Sequence, residues 1–137
     1  RVWFNHWFST AYHLIHLIKD ANPDKFTFVG SNKNDYAIYK RICEEWYLEP
    51  SDINETDYVD YCLNFCKQHQ IDIFVPRRYL TSISNHLESF NDIGVKVLTG
   101  QNPHLMQIFD DKVKTYEYFS NIGLNKIIPE YRIVKSL

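Results

Sequence analysis

Asn5, Ser9 and Thr10 follow an apolar run at the start of the chain, and Arg77 and Arg78 follow a second one that Pro76 stops. Free N–H groups at a helix start, with the hydroxyls of Ser9 and Thr10, form a small anion site for a carboxylate or phosphate. An arginine guanidinium clamps a carboxylate through paired hydrogen bonds. Brought to one crevice, these residues would hold a small anionic substrate. Each also has a plainer role: Ser9 as a helix N-cap, and the arginines as surface charge.

Other spacings point away from chemistry. His13 and His16 share a helix face, but no Cys or carboxylate of matching spacing joins them as a metal ligand. Cys62 and Cys66 lie one helical turn apart on an apolar face, the pattern of buried, inert thiols rather than of a C-x-x-C redox pair. Tyr58, Tyr61 and Phe65 read as core or interface residues. The first turn lacks G-x-G-x-x-G, the second strand ends Gly30-Ser31-Asn32 without an acid, and Trp7 and Phe8 crowd the turn, which excludes NAD or FAD binding. No acidic cluster follows the first strand, so a phosphoacceptor receiver domain is excluded too.

The elements that must position these residues are readable from periodicity. Residues 1–4 predict a strand, and Ala11, Leu14, Ile15 and Ile18 recur on one helical face after Ser9. Further strands are predicted at 26–29, 46–48, 71–75 and 95–98. Helices are predicted with faces at Tyr58–Cys66, at Leu80, Ile83, Leu87 and Phe90, and from Asn102 to about Gly123 as one continuous helix. Pro129 then precedes an extended piece, 131–134. Strand and helix alternate with short connections, which predicts a doubly wound α/β domain, Rossmann-like, with a mostly parallel five-stranded sheet and helices on both faces. If strand order reverses between the first and fourth strands, Asn5 and Ser9 face Pro76, Arg77 and Arg78 across one crevice.

With 137 residues, the chain has the length of a single domain. The 15 Lys plus Arg nearly balance 17 Asp plus Glu, which gives no electrostatic case for nucleic acid or a membrane surface. No apolar run approaches membrane-spanning length, no signal peptide is visible, and an odd cysteine count without metal-site spacing indicates a reduced, cytoplasmic setting. Aromatics at 16% supply a packed core or a self-association surface for a homodimer. The start at Arg1, directly in a strand, suggests an excised part of a longer protein.

Asn5, Phe8-Ser9-Thr10, Phe74-Val75-Pro76-Arg77 and Asp111-Lys112, taken in order and spacing, resemble the carbamoyl-phosphate-synthase-like ATP-grasp proteins of bacteria. Residues 1–100 are similar to the pre-ATP-grasp domain. Residues 101–137, with their aromatic-rich turn, Gly123 and Pro129, look like the linking helix and the truncated start of the ATP-grasp region. The resemblance implies a ligase in which ATP, with Mg2+, phosphorylates a carboxylate and an amine or ammonia attacks the acyl phosphate. It implies Lys112 on the nucleotide phosphates, and Asn5, Ser9, Thr10 and Arg77 around the acceptor substrate. The second nucleotide lysine, the adenine hinge and the magnesium carboxylates would lie beyond Leu137, leaving the fragment inactive alone. The alternative is a non-catalytic α/β module that binds a small ligand or a partner protein, with Lys112 only a surface charge.

Overall fold

Strands β1 (Val2–Phe4), β2 (Phe28–Asn32), β3 (Glu45–Leu48), β4 (Ile73–Val75) and β5 (Lys96–Val97) form one sheet in the order β3-β2-β1-β4-β5. The computed structural model describes residues 1–5 and 10–134. Every strand pairing is parallel, and the chain adopts the α/β, Rossmann-like class its alternation predicts. Because β1 lies between β2 and β4, the crossovers leave it in opposite directions, the reversal of order beyond whose strand ends such folds form their crevice.

Alternation along the short strands divides the core in two. Trp3, Val29 and Phe74 face one side, where α2 (Glu55–Gln68) packs through Tyr58, Val59, Cys62, Phe65 and Cys66. The Trp3 ring stacks on Phe65 at 4.2 Å and on Phe74 at 4.1 Å between centroids. Val2, Phe4 and Phe28 face the other side, covered by Ala11 and Ile15 of α1 (Thr10–Ala21) and by Tyr39 of a 3-10 helix, Ile38–Ile42. Helices therefore cover both faces, and apolar burial at roughly 25 cal/mol per Å² drives both layers.

Caps explain where several of the helices start. The Asn54 side chain accepts from the Asp57 N–H, and Asn102 accepts from the Leu105 N–H with Pro103 in the first turn. Two predicted helices are each broken. The one with a face predicted at Leu80, Ile83, Leu87 and Phe90 divides at His86 into α3 (Leu80–Asn85) and α4 (Leu87–Asp92). The last divides at Asp111 into α5 (Pro103–Asp110) and α6 (Lys112–Asn121). Asp111 is extended, and its side chain accepts from the Val113 and Lys114 N–H groups, so it caps α6 rather than continuing a helix.

β2 starts at Phe28 rather than Phe26 and includes Gly30, Ser31 and Asn32 within the strand. A Cβ at Gly30 would stand 2.7 Å from the Cys43 sulfur and 2.8 Å from the Trp46 ring, so the glycine serves close packing inside the strand rather than a turn. Residues 131–134 form no strand. No helix among the described residues is long and apolar enough to cross a membrane.

Candidate functional site

Asn5 leaves the end of β1 with its side chain fully buried. Its Oδ1 accepts the Arg77 backbone N–H at 2.7 Å, which joins the loop after β1 to the loop after β4. Its Nδ2 donates to the Tyr58 hydroxyl at 2.7 Å, and that hydroxyl donates to Glu49 Oε2 at 2.9 Å. Ser31, at the end of β2, accepts from Trp3 Nε1 and donates to Glu49 Oε1, each at 2.7 Å. Arg78 closes the network with Nη1 3.0 Å from Glu49 Oε2 and Nη2 3.5 Å from Asn32 Oδ1.

The chemistry of this arrangement follows from burial. The side chains of Glu49 and Arg78 are 0% and 6% exposed, and a carboxylate so deep is sustained by a paired charge and by donors to both oxygens. Tyr58 supplies one of those donors. Burial, reinforced by Cys62 and Glu49 nearby, pushes its phenol far above the usual tyrosine range, so its proton is available to Glu49 across the whole working pH range. Tyr79, next to Arg78, takes a left-handed backbone at φ 46° and sets its ring edge-on to Tyr58 at 5.2 Å. A bulky side chain rarely adopts that conformation, and here it accompanies the inward turn of Arg78.

The residues expected at the site are placed unevenly. Asn5 and Arg77 come together, but through the Arg77 backbone; the Arg77 side chain is exposed at the lip. Arg78 is no surface charge: it turns into the protein. Thr10 is the exposed first residue of α1, and Ser9 lies outside the described residues. Lys112 is the exposed first residue of α6.

Elsewhere, His16 pairs with Asp20 at 2.9 Å, and among the described residues no group of three or more His, Cys, Asp or Glu is placed to hold a metal ion. The Cys62 and Cys66 thiols are buried, and burial pushes Cys66 up to about 12 and Cys62 well above its ordinary value.

Sequence reasoning missed Glu49, Ser31 and Asn32, and took Tyr58 for packing alone. The available signal was position: all three polar residues stand at the carboxyl end of a parallel strand, where such folds gather polar groups. No protein-family model matches the chain, and no curated protein matches it.

Proposed function

We propose that this chain is the N-terminal, substrate-binding part of an ATP-grasp ligase that joins a carboxylate to an amine or ammonia through an acyl phosphate. The observation that carries the reading is the Asn5–Arg77 bond, which places an exposed guanidinium at the point where strand order reverses. There Arg77 meets the acceptor carboxylate, and the hydroxyl of Thr10 lies at the start of the helix that follows β1. Lys112 offers a compact point charge to the nucleotide phosphates. In such a ligase the magnesium ligands belong to other subdomains.

A screen of small carboxylates and amino acids for ATP-dependent phosphate release by the intact protein tests the proposal. Release that requires both a carboxylate and an amine is expected. Mg-ATP affinity of the Lys112→Ala form then reports on the lysine: equal affinities would remove Lys112 from the nucleotide site. One observation favours a second reading, a non-catalytic ligand-binding or interaction module. Glu49 already pairs with Arg78, so one of the two arginines is spoken for before any ligand arrives. Absence of ATP binding by the intact protein would select that reading.

A further inference from the structure

We infer that Glu49 is the positioning residue of the crevice: from the end of edge strand β3 it holds, through Tyr58 and Arg78, the Asn5 amide and the turn that displays Arg77. The Arg77 N–H finds an acceptor only while Asn5 points its oxygen toward β4, and Asn5 does so because its Nδ2 is committed to Tyr58. A phenol has one proton to give. Having accepted from Asn5, Tyr58 gives that proton to Glu49. The same carboxylate oxygen holds Arg78, the residue after Arg77. Glu49 therefore acts on both sides of Arg77 from a side chain that is itself wholly buried.

As part of an acceptor site this inference rests on the ligase reading; as a statement about the turn it stands without it. Amide hydrogen exchange followed by NMR on the intact protein separates the two. The variants are Glu49→Gln, which keeps shape and loses charge, Tyr58→Phe, which deletes one hydroxyl, and Ser84→Ala. The Ser84 hydroxyl bonds the Gly100 carbonyl outside the network, so that variant is the control.

Normalised to the strand amides of Val29 and Phe74, which report global opening, Arg77 exchange is expected to rise about tenfold in Glu49→Gln and in Tyr58→Phe, and to stay at the wild-type value in Ser84→Ala. Arg77 exchange that is unchanged in the first two variants, or that moves only in step with Val29 and Phe74, overturns the inference. Should Glu49→Gln fail to fold, Tyr58→Phe reads the same relay one bond later. Acetate titrated onto the wild type and followed at the Arg77 resonances tests the acceptor reading separately. A wild type blind to acetate sinks that reading and leaves the exchange comparison to decide on Glu49.

Discussion

Arg78 Nη1 lies 3.0 Å from Glu49 Oε2, and the pair links the loop after β4 to the end of β3, three strands away across the sheet. Removing one partner strands the other. Arg78→Ala is expected to lower unfolding free energy by about 3–5 kcal/mol, the cost of leaving a buried carboxylate without its counter-charge. The double replacement Glu49→Leu with Arg78→Met should recover only part of the loss, because Ser31 and Tyr58 then lose their acceptor. Urea denaturation of the two forms checks both statements.

Tyr79 offers a second comparison. Its left-handed backbone costs about 1–2 kcal/mol, and its ring contact with Tyr58 returns about 0.5–1.5 kcal/mol. Tyr79→Ala keeps the strain and loses the ring, whereas Tyr79→Gly loses both. The glycine form is expected to be more stable than the alanine form by about 1 kcal/mol, read as a difference in urea midpoint. Equal midpoints would show that the turn carries no strain.

Acid sensitivity comes from the opposite end of the sheet. The Arg1 guanidinium, hydrogen-bonded at 2.7 Å, holds Glu45 below the usual carboxylate range against the opposing effect of burial. For Glu44, burial pushes upward and is outweighed by hydrogen bonds from Lys19 and the Phe28 N–H, so its value is also depressed. A depressed carboxylate contributes stability that is fully present above the ordinary glutamate value of about 4.3 and is lost as pH falls through the lower folded value. Stability of the wild type is expected to fall more steeply below pH ~4.3 than that of the Glu44→Gln, Glu45→Gln double variant. Parallel pH profiles of urea midpoint would refute this.

The cysteines should be chemically silent. Burial raises Cys43 and Cys66 to about 12 and Cys62 well above its ordinary value, so almost no thiolate exists near neutrality. An aromatic disulfide reagent at pH 8 is expected to leave all three thiols unmodified in the folded protein and to titrate all three in guanidinium chloride. Fast labelling of Cys62 in the native state would contradict the packing of α2.

The fold was legible because each strand and each helix face repeats its apolar residues at its own period, as at Trp3, Phe74 and the Tyr58–Phe65 face. Periodicity could not see the breaks at His86 and Asp111, since the apolar register continues across both. The Asp111 cap was visible only as a residue type, and an aspartate reads the same inside a helix as at its start. The role of Gly30 was not legible either, because its need for space beside Cys43 and Trp46 exists only once the strands are paired. At the candidate site, Asn5 and Arg77 were found because each follows a strand at the predicted reversal of order. Glu49 was not, because a glutamate before proline carries the same local signal whether it ends in solvent or beneath an arginine.

The hydrogen bonds from Arg77 through Asn5 and Tyr58 all run one way, toward a single carboxylate. Positions 5, 49, 58 and 78 form a grammar in which one changed word leaves a buried neighbour without its partner. Positions 77 and 79 sit at its open end, exposed, where a side chain can be exchanged while the syntax beneath stays intact.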